Sequence, residues 1–190
     1  MLQENIVREV PTWIKTYTGK KFYPLRPDPA QIDIVDIAHA LSNQCRFTGH
    51  CKWFWSVGAH SVMVSEVVSM LGGNYVEQLW GLLHDASEAY AVDLPTPIKR
   101  QVVGYAEAEK LIMNAIAEAF DLPENMPQIV KDADEIMLAT EARDLMGNPQ
   151  DWGIVKKPLE QEIPSWSYGY TYEKFLEKFE RLNKRIVDFK

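Results

Sequence analysis

Apolar residues recur at helical spacing along most of this chain. Between Asp33 and Ser42, the residues Ile34, Ile37, Ala38 and Leu41 fall on one helix face. A second helix is predicted from about Ser56 to Leu71, stopped by Gly72-Gly73. A third runs from about Tyr75 to Tyr90 and ends before DLPTP, where two prolines forbid continuation. The fourth, about Tyr105 to Phe120, carries an apolar stripe of Leu111, Ile112, Ala115, Ile116 and Ala119; DLPENMP breaks it. A fifth spans about Gln128 to Leu145. After a Trp- and Pro-containing loop, a last helix from about Thr171 to Phe189 repeats Phe175, Leu176, Phe179, Leu182 and Ile186 at helical spacing. Strand alternation is scarce, and there is no internal repeat or low-complexity tract. The pattern predicts an all-α, bundle-like fold.

Residues 1–32 do not follow the pattern. WIKTYTGKKFYPLRPDPA mixes aromatics with three prolines and reads as an irregular arm that wraps a core. The expected organisation is this arm followed by one helical domain over 33–190, with a core at 33–145 and a C-terminal loop and helix at 146–190.

Composition narrows the function. A chain of 190 residues with 46% hydrophobic and 25% charged residues suits a single soluble domain. The net charge of −7 argues against stable nucleic-acid binding or attachment to an anionic membrane by bulk charge. An acidic protein that handles a polyanion must concentrate positive charge locally, on a metal or on a few placed Arg and Lys. Cys45 and Cys51 form neither a disulfide framework nor a CxxC motif, which fits a reducing cytosol. With His50 between them the cysteines have poor zinc-finger spacing. The charged opening MLQENIVREV lacks an apolar signal core, and no apolar stretch is long enough for a membrane span. A cytoplasmic protein is expected.

Three predicted helices carry charge where the pattern predicts interior. His60 shares a face with Val57, Val64, Val67 and Val68. Asp134 shares one with Val130, Met137, Leu138 and Glu141. His84-Asp85 follows Leu82-Leu83, flanked by the small residues Ala86 and Ala89. A lone His on such a face is usually a satisfied core residue. A buried carboxylate, by contrast, costs several kcal/mol unless paired. Together these groups suggest a shared partner, and two imidazoles with two carboxylates suit a divalent cation such as Mn, Co, Zn, Fe or Mg. Of the other histidines, His39 lies off the apolar face and reads as a surface or capping residue. His50, in the loop before the second helix, is either structural or substrate-facing.

The spacing His60…His84-Asp85…Asp134 resembles the H…HD…D signature of the HD-domain phosphohydrolases. HDASEAYAVDLPTPIK (84–99) is similar to the extended motif of the branch containing bacterial deoxynucleoside 5′-nucleotidases. CRFTGH followed by WSVGAHS resembles that family's arginine–aromatic pair ahead of the first ligand histidine, and VKDADEIMLATEARDL its last-ligand helix. The resemblance covers roughly residues 33–145. It implies an HD-domain helical bundle, a divalent metal on His60, His84, Asp85 and Asp134, and active-site roles for Glu88 and Asp93. Asp132 is the less favoured neighbour of Asp134. Phe47 stands where the nucleotidase branch has Trp, the segment between His60 and His84 is shorter, and the opening is similar to compact phage-type members. Some of those are dATP triphosphohydrolases. The resemblance therefore implies hydrolysis of a small-molecule nucleotide, either a dATP-type triphosphate or a 5′-monophosphate, by a metal-activated water. It also implies a bacterial or phage-encoded origin.

The expected roles follow. Glu88 orients or deprotonates the attacking water. Arg46 neutralises phosphate charge bidentately, and Lys99 assists as a point charge. Asp93 bonds a sugar hydroxyl or places the leaving oxygen. Phe47 and a Trp of WFW (53–55) are candidates for the base or sugar wall, with core packing as their alternative. A surface ion pair is the alternative for Arg46 and Glu88, and a solvated loop position for Lys99. Three other functions stay open: an HD hydrolase of a cyclic or signalling nucleotide, a non-catalytic nucleotide-binding regulator, and a di-iron oxygenase using His39 and His50. The aromatic stripe of the last helix suits either the core or a homo-oligomer contact.

Overall fold

Among the described residues the first regular structure is a short antiparallel hairpin, β1 (Ile14–Lys15) and β2 (Lys21–Phe22), which pairs Ile14 with Phe22. It sits within the expected arm. The computed structural model describes residues 12–147 and 152–188. The beginning of the arm, residues 148–151 and the expected helix end at Phe189 lie outside the described residues. Phe22 is fully buried and stacks on Tyr90 with ring centroids 4.0 Å apart, and the turn of the hairpin is tied to α1 by Thr18, whose N–H and hydroxyl both donate to the Asp36 carboxylate.

Helices follow. After a 3₁₀ turn at Pro29–Gln31 comes α1 (Ile34–Asn43), started by Asp33, whose carboxylate accepts from the Val35 N–H. A turn at Arg46–Gly49 leads to α2 (Val57–Met70), capped by Ser56 Oγ, which accepts from the Ala59 N–H. Asn74 and Glu77 form a capping box at the head of α3 (Tyr75–Leu83). Two single-turn helices, α4 (Glu88–Ala91) and α5 (Thr96–Lys99), precede α6 (Tyr105–Ala119) and α7 (Gln128–Glu141). The last turn of α7 widens into a π turn at Ala142–Met146, and α8 spans Tyr168–Asp188.

α2 is the central element, packed by α1, α3, α7 and α8. Its sequence explains this: from Val57 to Val68 nearly every side chain is buried, as expected of a helix that is apolar or small on all sides. Its serines satisfy themselves inside, Ser61 Oγ donating to Val57 O at 2.9 Å and Ser65 Oγ to Gln78 O at 2.7 Å. α3 comes close because Gly81 has no side chain; a Cβ there would lie 3.1 Å from Ser65 Cα. Buried Phe175, Phe179 and Leu182 of α8 close the core against α1, α2 and α3, so the aromatic stripe serves the core.

The all-α expectation holds, with three corrections. The third predicted helix is broken: α3 stops at Leu83, and His84 to Ser87 form a turn before α4. Its hydrogen bonds tighten to the 3₁₀ type, with the N–H groups of Ala86, Glu88, Ala89 and Tyr90 reaching back three residues to Leu83, Asp85, Ala86 and Ser87. The last helix begins at Tyr168, earlier than expected, because Ser167 Oγ accepts from the Tyr170 N–H. The arm holds the hairpin that weak strand alternation did not reveal. No helix among the described residues is long and apolar enough to cross a membrane.

Candidate metal centre

His60 comes from the first turn of α2, His84 and Asp85 from the tight turn after α3, and Asp134 from α7. Packing α3 and α7 against α2 brings these four residues to one point. His60 Nε2 lies 3.3 Å from His84 Nε2 and 3.0 Å from Asp134 Oδ1. Asp85 Oδ2 stands 3.2 Å from His84 Nε2 and 3.8 Å from His60 Nε2. His60, His84 and Asp134 offer ligand atoms that all lie within 4.8 Å of one another, so this group could hold a metal ion. Asp85 borders it. His60 is fully buried, whereas the Asp134 side chain is 43% exposed and marks the mouth.

Both imidazoles are oriented from behind. His60 Nδ1 is 2.7 Å from Glu141 Oε1, and His84 Nδ1 is 2.8 Å from the Gly81 carbonyl. Neither partner oxygen can donate, so each Nδ1 carries the hydrogen. In the neutral rings both Nε2 atoms are then acceptors, facing each other and two carboxylates. Four converging acceptors require a cation or protons between them. Protonation of the imidazoles would also satisfy them, and both are shifted towards it. Burial alone would lower the His60 pKa, and Arg46 adds to that, yet Glu141 and Asp134 push it up to about 9. His84 is likewise raised despite burial, by Asp85 and then Asp134. Burial works against ionised Asp85 and Asp134 too, but the adjacent imidazoles hold both below the usual carboxylate range.

Glu141 is the residue that sequence reasoning missed. Fully buried at the end of α7, it accepts from Trp55 Nε1–H at 2.7 Å and His60 through one oxygen, and from Arg46 Nε–H at 2.9 Å through the other. A carboxylate behind a ligating histidine fixes tautomer and ring orientation and raises ligand basicity. Burial opposes its charge, but Arg46 and His60 keep it ionised. Arg46 Nη1 also lies 3.7 Å from Asp85 Oδ2, which links the expected phosphate-binding arginine to the cluster through two carboxylates. Burial would lower the Arg46 pKa, and Glu141 and Asp85 reverse that.

Glu88 and Asp93 line the same region. Glu88 is buried, and its Oε2 has no hydrogen-bond partner among the described residues. Burial, then repulsion by Asp85 and Asp93, pushes its carboxyl up to about 10, so it carries a proton at neutral pH. The expected base is thus a proton holder in the metal-free protein. Burial also raises Asp93, with Arg46 opposing and Asp85 reinforcing. One side chain ties the two together: Gln44 Nε2–H donates to Glu88 O at 3.0 Å, and its Oε1 accepts from the Asp93 N–H at 3.1 Å. Between them Val92 takes φ 67° and ψ 148°, strained for a β-branched residue. The Tyr105 hydroxyl holds it there, donating to Ala91 O at 3.1 Å and to Val92 O.

The other candidates divide. Phe47 stays half-buried beside the Arg46 guanidinium, 5.2 Å from its ring centroid, and meets Trp152 edge-on at 5.4 Å. Trp55 is no wall: it is fully buried and serves Glu141. Lys99 Nζ pairs with Glu109 at 2.6 Å, though its charge is felt at Glu88 and Asp93. His50 is exposed, and its ring joins no hydrogen bond or ion pair among the described residues. His39 is not a plain surface residue; its ring stacks on Tyr17 at 3.7 Å beside Tyr168 and Tyr172. Asp132 points elsewhere, to Lys156 Nζ at 2.7 Å.

No family model matches the chain. It is 40% identical over 178 residues to the uncharacterized protein YfdR of Escherichia coli K12, covering 91% of this chain and 97% of that protein. It is also 32% identical over 144 residues to an uncharacterized protein of Rhodobacter capsulatus, covering 71% of this chain and 74% of the other.

Proposed function

The chain belongs to the YfdR family, and we propose that it is a metal-dependent phosphohydrolase of the HD type acting on a nucleotide phosphoester. One observation carries the reading: two imidazoles with committed Nδ1 atoms turn their Nε2 atoms on each other at 3.3 Å, beside the carboxylates of Asp134 and Asp85. Such a mixed nitrogen–oxygen donor set fits a divalent cation of the Mn, Co, Fe or Zn kind. A cation there supplies Lewis acidity, making water acidic near neutral pH and drawing charge from a phosphoryl oxygen.

The remaining work falls to the chain. Arg46 spends its Nε–H on Glu141, which leaves its terminal N–H groups to grip phosphoryl oxygens at the mouth. Burial, then the charges of Asp85 and Asp93, hold the proton on Glu88. A cation beside Asp85 would offset one of these causes and lower that carboxyl, which favours Glu88 as the group that orients the attacking water or takes its proton. Asp93, whose backbone N–H is held by Gln44, bonds a sugar hydroxyl or places the leaving oxygen. Phe47 and Trp152 offer aromatic edges and faces against which a base or sugar can lie.

The deciding experiment is product identification from dATP, dGTP, dAMP and dGMP with Mn²⁺, with and without chelator. Triphosphate released from dNTPs, or orthophosphate from monophosphates, is expected and should vanish with chelator. Nucleotide binding without phosphate release in Mn, Co, Zn and Mg would overturn the reading in favour of a non-catalytic binder.

A further inference from the structure

Between α1 and α2 the chain doubles back from Cys45 to Cys51, and the two sulfurs lie 3.5 Å apart. Both thiols are free and half-buried. The Cys51 S–H donates to the Arg46 carbonyl at 3.7 Å, which leaves the Cys45 hydrogen to point at Cys51 Sγ. Both ends of the segment are pinned. The Arg46 N–H donates to Trp55 O and the Val57 N–H to Gln44 O, each at 2.9 Å; the Lys52 N–H donates to Leu145 O at 3.1 Å. Inside the pinned ends, Phe47 and Thr48 both sit at φ 55° in the left-handed region, which is strained for a β-branched threonine. This same short span carries Arg46.

We propose that Cys45 and Cys51 are a reversible disulfide pair, closed by exchange with a low-molecular-weight disulfide, and that closure withdraws Arg46 from Glu141 and Asp85. One cysteine thiolate attacks the small disulfide and releases one small thiol. The second cysteine thiolate attacks the resulting mixed disulfide, forms the internal S–S bond and releases the other small thiol. Two protein thiols are oxidised and one small disulfide is reduced, so atoms and electrons balance. The sulfurs must close from 3.5 Å to about 2.05 Å, the length of an S–S bond. With the Arg46 N–H and the Lys52 N–H both held, the Arg46 carbonyl and residues 47–50 absorb that movement, and it reaches the Arg46 side chain through its own peptide. The Cys51 S–H bond to the Arg46 carbonyl is lost in the same event. Arg46 reaches Glu141 at 2.9 Å and Asp85 at 3.7 Å, and hydrogen bonds of this kind weaken steeply with misalignment.

The test uses the full chain, oxidised glutathione and then dithiothreitol. Thiol titration should fall from two to none, and the mass should drop by two hydrogen atoms with no glutathione retained. Tryptophan fluorescence should shift, because Trp53 and Trp55 flank the segment. Orthophosphate affinity in Mn²⁺ should fall about tenfold, the worth of one charge-assisted hydrogen bond. Reduction should restore both signals, and Cys45→Ser and Cys51→Ser should abolish the internal disulfide and its effects. Thiols that persist in excess oxidised glutathione, a mixed disulfide that never resolves, or an internal disulfide that moves neither signal would overturn the proposal. Reduced protein that binds no orthophosphate with Mn²⁺ would count against the phosphohydrolase reading instead, while thiol titre and fluorescence still decide the disulfide.

Discussion

Two imidazoles whose Nδ1 atoms are already committed have one direction left in which to bind. That constraint gives the cluster its chemistry, and it extends to the carboxyls around it. Glu88 is the sharpest case. A buried carboxyl held near 10 ionises far more readily in the unfolded chain, where its ordinary value is 4.5. Between those values the folded state binds the extra proton, so the group subtracts stability as pH rises. Glu88→Gln removes that burden while keeping shape. The metal-free variant should therefore be more stable than the parent at pH 7, on the order of 1 kcal/mol or more, and should keep its metal content while losing turnover. Denaturant melts, elemental analysis and a phosphate-release assay read the three quantities. Full turnover in the variant would remove Glu88 from the reaction. The grouping of His60, His84 and Asp134 was legible in the sequence because several His and carboxylate groups on apolar helix faces ask for a shared partner. The fold brings these three together as a group that could hold a metal ion. Glu141 was visible on the same stripe as Asp134, but its role was not, because that depends on Arg46, Trp55 and His60, which lie far away in sequence. No local pattern encodes that convergence.

Helix starts were legible where a side chain caps them, as at Asp33, Ser56 and Asn74. The break after Leu83 was not. His84, Asp85 and Ala86 carry no Gly or Pro to announce it, and the turn is fixed by tertiary demands: the Gly81 carbonyl takes the His84 Nδ1–H, Gln44 holds the start of α4 at Glu88 O, and Tyr105 holds its far end at Ala91 O. Gly81 therefore does two jobs. It lets α3 approach α2, and its carbonyl orients the His84 ring. Gly81→Ala would put a Cβ 3.1 Å from Ser65 Cα and from Val68 Cγ2, and the backbone of a central helix has little room to give. The expected cost is about 1–3 kcal/mol for overpacking. Because His84 rides on the displaced helix, Mn²⁺ affinity should fall about tenfold or more. Calorimetric titration alongside thermal melts separates the two effects; a destabilised variant with unchanged affinity would show that α3 position and ligand aim are independent.

At the scale of the molecule, the donor cluster joins segments that are far apart in the chain: α2, the turn after α3, and α7. A cation there would bind the folded state alone and act as a cross-link, worth about 2.7 kcal/mol at a hundredfold excess over Kd, or a rise of ~5–10 °C in Tm. The size of that rise should depend on pH, with a fixed sign. His60 has its folded pKa raised to about 9 from 6.5. Its contribution in the metal-free protein is complete below 6.5 and is lost as pH climbs through 9. Glu88 works in the same direction across that window, while the lowered carboxyls of Asp85, Asp134 and Glu141 are ionised throughout it. The cation displaces the His60 proton, so its apparent affinity increases as that proton becomes easier to remove. Hence the metal-free protein should melt at progressively lower temperature from pH 6.5 to 9, and the Tm gain on adding Mn²⁺ should widen over the same range. Differential scanning fluorimetry with and without Mn²⁺, in buffers that do not chelate, tests both slopes. A gain that stays flat with pH would mean the cation binds without evicting a proton, and the convergence of His60, His84 and Asp134 would then have to be read as a proton store and not as a metal cradle.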